Sequence, residues 1–135
     1  MVQEILVKEP LEKEKVEAGK ELLLRLAKTD FKVAAALWMW NVQRPRWRLI
    51  LASPSVGQKG LRQAYDKIDD ALYEKPHRIS EVDLVDVHPM DTTKPLIKAL
   101  RAHAKKYHTD MAGERLNGYW LGDVSIDDAY VYFVK

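Results

Sequence analysis

The sequence predicts an α+β fold, a single domain with one mixed, mostly antiparallel five-stranded sheet and helices packed on it. Three observations lead there. The stretch VAAALWMWNVQRPRWRLILAS sets two apolar runs of strand length on either side of a short polar break containing a proline, the pattern of a β-hairpin. Three segments elsewhere place apolar residues at helical spacing. The closing run from Ala129 to Val134, AYVYFV, is aromatic and β-branched, as strands are. Helices inserted between strands and hairpins, in the order α-β-β-α-β-α-β-β, argue for one sheet with helices on it.

The first helix is expected from Leu11 to Lys28, where Val16, Gly19, Leu22, Leu23, Leu26 and Ala27 recur at helical spacing among Glu and Lys. The hairpin follows. With Val42 to Pro45 as its loop, Trp40 faces Trp47, Trp38 faces Leu49 and Ala36 faces Leu51 on one side. Met39 faces Arg48, Leu37 faces Ile50 and Ala35 faces Ala52 on the other. Both faces are largely apolar, so this hairpin belongs near the centre of the sheet. The segment PSVGQKG after Ser53 reads as a loop. A second helix is expected from Gly60 to Tyr73, with Leu61, Ala64, Tyr65, Ile68, Ala71 and Leu72 as its stripe. Glu81 to Val87, EVDLVDV, alternates strictly and predicts a short strand nearer an edge. Thr92-Thr93 before Pro95 starts a third helix that reaches Tyr107. Glu114 to Lys135 reads as two strands around a turn within Gly122 to Asp127, and the pair Asp127-Asp128 is expected to tighten that turn.

At 135 residues the chain suits one domain, residues 1–135, with residues 1–10 expected as an N-terminal arm. No apolar run approaches the roughly 18 residues of a membrane span, and no h-region of a signal peptide is visible, so no membrane contact and a cytoplasmic location are expected. Cysteine is absent, which excludes disulfides and thiolate metal sites. The net charge of +2 is too small to be a nucleic-acid footprint by itself.

Three groups of residues carry candidate chemistry. Arg44, Arg46 and Arg48 crowd the hairpin tip beside Trp40 and Trp47, where guanidinium groups could meet phosphates and indoles could stack on bases. The register opposes this, since it puts the tryptophans on the face opposite Arg46 and Arg48. Ser53, Ser55, Lys59 and Gly60 lie on a strand–loop–helix passage whose unpaired N–H groups suit an anion, although the phosphate-loop pattern G-x-x-x-x-G-K-[ST] is not matched. His77, His88, His103 and His108 show no metal-binding spacing, so no metal and no cofactor are expected. The catalytic residues stay unknown. No nucleophile motif is present. Lys98, Arg101, Lys105 and Lys106 lie outside the apolar stripe of the third helix and read as a solvated face, or as phosphate contacts added to those of the tip.

The blocks VAAALWMW, WRLILASPSV and IDDAYVYFV, with the helix G-x-x-x-AY-x-K-I between them, resemble small uncharacterised bacterial proteins from Val16 onward. That resemblance implies no catalytic residue, and the tip is basic here where that group is more acidic.

Three readings follow. The first is a non-catalytic interaction module acting by protein–protein contact or self-association, because three helices leave part of one face of a five-stranded sheet open. The second is nucleic-acid binding through the hairpin arginines and the third helix. The third is a small-molecule or phosphate-binding enzyme using residues 53–60.

Overall fold

The hairpin organises the molecule. In the computed structural model, which describes residues 8–135, β1 (Ala35–Asn41) and β2 (Arg46–Ala52) pair in the register expected from sequence, with Trp40 opposite Trp47 and Ala35 opposite Ala52. The Asn41 side chain accepts hydrogen bonds from the backbone N–H groups of Gln43 and Arg44, at 2.9 and 3.2 Å. That local bond shapes the loop and so fixes which residues face each other. The two strands are central in a five-stranded sheet of order β3-β2-β1-β5-β4. β3 (Val87–Met90) runs parallel to β2, and β4 (Arg115–Leu121) and β5 (Val124–Val134) form the second hairpin.

Helix α1 (Lys13–Leu26), slightly shorter than its apolar pattern, turns Ala18, Gly19, Leu22 and Leu26 to one face of the sheet. There it meets Ala36, Trp38, Trp40, Trp47, Leu49 and Leu51. Helix α3 (Leu61–Leu72) covers the same face beside it, through Ala64, Ile68, Ala71 and Leu72. Helix α4 (Pro95–Lys106) lies on the other face, where Ile97, Leu100 and Ala104 pack with Ala35, Leu37, Ile50, Ala52 and Val131. No helix among the described residues is long and apolar enough to cross a membrane.

Four details depart from the sequence expectation. Ser53–Gly60 is not a loop, since Pro54–Lys59 form a short helix, α2. Ser53 caps it by accepting from the Ser55 N–H at 3.1 Å, and Pro54 supplies a preset φ in its first turn. Gly60, at φ +89°, then breaks the chain between α2 and α3. The strand expected at Glu81–Val87 begins only at Val87, after a 3-10 turn at Leu84–Asp86 that leaves Val85 68% exposed. Parallel pairing sets Val87 against Leu49 and Pro89 against Leu51, and burial of those positions outweighs the local alternation. Pro89 has no N–H to donate, which confines β3 to the edge.

The second hairpin turns at Gly122-Asp123 alone, with Leu121 opposite Val124 and Gly122 at φ +57°. Asp127 and Asp128 therefore lie within β5, away from the turn. Asp128 is buried and receives two hydrogen bonds from Arg115, at 2.6 and 2.8 Å. Opposite Asp127, Gly118 sits at φ +58° and the pairing lapses. Side-chain alternation inverts there, so Leu116 and Ala129 before the lapse, and Leu121 and Ile126 after it, all join the core under α4.

Of the arm expected over residues 1–10, residues 1–7 lie outside the described residues. Lys8 pairs with Asp128 at 3.1 Å, and the Glu9 carbonyl accepts from Trp47 Nε1 at 2.8 Å.

Candidate functional site

The helices on the α1 side leave part of β5 uncovered. A β-bulge makes this surface. Ala36 pairs with Phe133 but Leu37 pairs with Val131, so Tyr132 is an extra residue. Tyr130, Tyr132 and Phe133 consequently all join the α1-side cluster, while Val131 and Val134 join the other. β4 ends at Arg115, opposite Tyr130, and beyond that point β5, still paired with β1 on its inner side, meets backbone bonds from residues 110–114 on its outer side.

α1 forms the wall. Val16, Lys20, Leu23, Leu24 and Ala27 fall on one flank of the helix, adjacent to the face it buries, and Leu24 is 54% exposed. Between this flank and the three β5 aromatics runs an open groove of about 970 Å³, closed at one end by Phe31–Ala34. At 1.5 Å per residue the flank is ~16 Å long. Tyr132 anchors the floor by accepting from Trp38 Nε1 at 2.8 Å and donating to the Val16 carbonyl. Burial pushes its phenol well above the usual range, so it stays protonated.

The charged groups along the groove are one-sided. Lys20, Lys32, Arg101 and Lys135 line it, against Glu17 alone. None of these four cations is in an ion pair among the described residues. Lys32 Nζ donates to the Thr29 carbonyl at 3.3 Å and Arg101 Nε to the main-chain oxygen of Lys135 at 3.1 Å. The lining holds no nucleophile beside a base, and the half-buried Tyr132 hydroxyl is engaged on both sides.

The residues singled out from sequence lie elsewhere. Trp40 and Trp47 are 6% and 3% exposed and meet edge to face at 5.6 Å, so their rings are core and are closed to a base from solution. Arg44 is exposed at the tip, whereas Arg46 Nε lies 2.6 Å from Asp86 Oδ1 and Arg48 is half-buried. Ser53 is fully buried. Its hydroxyl is committed to the cap, accepting from the Ser55 N–H, Lys59 pairs with Asp30 at 3.2 Å, and Gly60 only joins two helices. Lys67 and Lys59 together hold the Asp30 carboxyl below its usual pKa. Among the described residues no three His, Asp or Glu side chains gather as a metal-binding group would require.

Asp86 and His88 do come together, beside Arg46 and Arg48. Burial lowers the His88 pKa, Arg48 lowers it further, and Asp86 opposes them. A depressed pKa contributes stability above the unfolded value of roughly 6.5, and that contribution is lost as pH falls through the folded value. Urea melts at pH 7 and 5 are therefore expected to show a smaller loss for His88→Gln than for the wild type. Equal losses would place the acid sensitivity elsewhere.

No family model, curated protein or solved structure matches this chain.

The groove residues Leu24, Tyr130, Tyr132 and Phe133 were not singled out from sequence as a site. One signal was visible: the apolar stripe of the first helix, from Val16 through Leu23 and Ala27, is wider than one packing face needs.

Proposed function

We propose that this protein is a non-catalytic interaction module whose α1–β5 groove receives an apolar, acid-flanked segment of a partner protein. The observation that carries this reading is the groove itself, an open, mostly apolar surface bordered by four cationic side chains and one acidic one. Contiguous exposed apolar surface of this kind marks an interaction site in soluble proteins. A second copy is the weaker fit, because a two-fold contact lays a patch against itself and would oppose Lys20, Lys32, Arg101 and Lys135 to their own equivalents. An acidic partner relieves that charge. The same reading places the protein in the cytoplasm, where a chain without cysteines has no disulfide to lose.

The test uses two synthetic amphipathic helices with the same leucine ridge, one flanked by Glu and the other by Lys. The Glu peptide is expected to bind the protein at least ~10-fold more tightly, as good electrostatic complementarity allows. Leu24→Asp and the double variant Lys20→Glu/Lys32→Glu are expected to abolish that preference. Equal binding of both peptides, or a stable dimer that Leu24→Asp dissociates, would replace the partner reading with non-specific contact or self-association.

A further inference from the structure

The groove between α1 and β5 differs at its two ends. The flank of α1 runs along it from Val16 to Ala27, and the chain then crosses from wall to floor through Phe31–Ala34 before entering β1. That crossing closes one end. Phe31 is buried, and the Lys135 N–H donates to the Ala34 carbonyl at 2.8 Å, tying the end of the floor to the crossing. At the other end the Val16 carbonyl meets the Tyr132 hydroxyl, and the lining runs on to Tyr130, Ala112 and Gly113.

Charge follows the same division. At the open end Glu17 and Lys20 stand one helical turn apart on the wall, so their charges offset each other. At the closed end Lys32 and Lys135 both line the groove, and the one acid of the lining, Glu17, is far along the wall from them. Lys135 Nζ stands 4.9 Å over the Phe133 ring, the last aromatic of the floor, and Lys32 Nζ is held by the Thr29 carbonyl at 3.3 Å. Arg101 reaches this end too, with its Nε on the main-chain oxygen of Lys135. Asp30, just before the crossing, pairs with Lys59 and Lys67 at 3.2 and 3.1 Å instead.

An apolar trough that stops at two ammonium groups suits a chain that itself stops with a negative charge. We propose, resting on the groove reading above, that the partner segment is a C-terminus, an apolar helix whose terminal α-carboxylate meets Lys32 and Lys135. Capture of a C-terminal carboxylate is a recurring mode of peptide recognition. At about 1.5 Å per residue, ~11 residues span the ~16 Å flank. With its carboxylate at the closed end the bound helix runs parallel to α1, and the negative end of its dipole adds to the carboxylate before the lysines. An internal acidic segment would have to continue through Phe31–Ala34. A fatty acid shares the apolar body and terminal carboxylate. A helix is favoured because the wall offers it two i,i+4 rows, Val16–Lys20–Leu24 and Leu23–Ala27, the ridges that seat a second helix.

The experiment titrates the full chain with a fluorescein-labelled helix of leucine, alanine and glutamine ending in a free carboxylate, with the same helix amidated, and with oleate as competitor. The free acid is expected to bind at least ~10-fold more tightly than the amide, the effect of one hydrogen bond to a charged group. Lys32→Ala/Lys135→Ala should bring the free acid down to the affinity of the amide, and Leu24→Asp should weaken both. A nitroxide on the peptide N-terminus should broaden the amide resonances of Glu17 and Lys20 and spare those of Lys32 and Ala34. Equal binding of acid and amide, or broadening centred on Lys32, would overturn the C-terminal assignment while the groove reading stands. Absence of binding by both would overturn it too, and the Glu-flanked helix then decides whether the groove reading falls with it. Oleate that binds more tightly than the free acid and is weakened by Leu24→Asp would assign the groove to a lipid and overturn both. Lys32 and Lys135 are exposed, so their variants should melt like the wild type.

Discussion

Gly19→Ala is expected to destabilise the fold by about 2–4 kcal/mol, although glycine to alanine within a helix ordinarily gains ~1 kcal/mol. A β-carbon at position 19 would lie 2.2 Å from Tyr132 Oη, 3.0 Å from its Cζ and 3.1 Å from Trp38 Nε1. The tyrosine cannot simply swing away. Its hydroxyl accepts from the buried Trp38 indole and donates to the Val16 carbonyl, so moving it leaves both without a partner. Overpacking costs roughly 1–3 kcal/mol, and each orphaned buried polar group a similar amount. The clash therefore outweighs the helix preference. Urea denaturation of Gly19→Ala, Tyr132→Phe and the double variant checks it. The double variant should lose less than the sum of the singles, because removing the hydroxyl relieves the closest contact. A Gly19→Ala protein as stable as the wild type would mean that α1 shifts freely on the sheet. Since Tyr132 also floors the groove, the same substitution should weaken the Glu-flanked peptide, linking packing to binding.

Arg115→Ala should cost more than Asp128→Asn, about 3 against about 1 kcal/mol. The two residues share one ion pair, but their surroundings differ. The Asp128 side chain is 2% exposed and that of Arg115 47%. Removing Arg115 leaves a buried carboxylate with Lys8 as its remaining cation, and breaking a buried pair from that side is the costly direction. Removing the charge of Asp128 leaves an arginine that water can solvate. Acid distinguishes them further. Burial alone would raise the Asp128 pKa, but the hydrogen bonds and charges of Arg115 and Lys8 outweigh it and hold the carboxyl below its usual value. With a depressed folded pKa, the contribution is complete above the unfolded value of roughly 4 and is lost as pH falls through the folded value. The stability gap between wild type and Asp128→Asn should thus begin to close below about pH 5 and go on closing as pH falls through the folded value. A gap that ignores pH, or an Asp128→Asn variant as damaged as Arg115→Ala, would show that the pair is not the stabilising element.

The candidate surface was only partly legible beforehand. The cations of the groove and the surplus apolar flank of α1 stand in the sequence, yet neither says what faces it. An open part of one sheet face was expected, and its position depends on the bulge at Tyr132, which arises from how β5 meets β1 over 94 residues of separation between Trp38 and Tyr132. In the first hairpin the register already set the tryptophans on the face opposite Arg46 and Arg48, and packing with α1 and α3 makes them core.

The sequence by itself determined the α+β class, the central hairpin with its register, and three of the four helices. These rest on local physics: apolar period, an asparagine that binds its own loop, and proline and glycine at helix ends. Only the tertiary structure decided that Ser53–Gly60 is a capped helix, that the edge strand starts at Val87, and that Asp128 is buried inside β5. Each depends on a partner distant in the chain, Met90, Leu49 and Arg115 in turn. The groove belongs with them, because an open surface is what remains after every other face has found its cover.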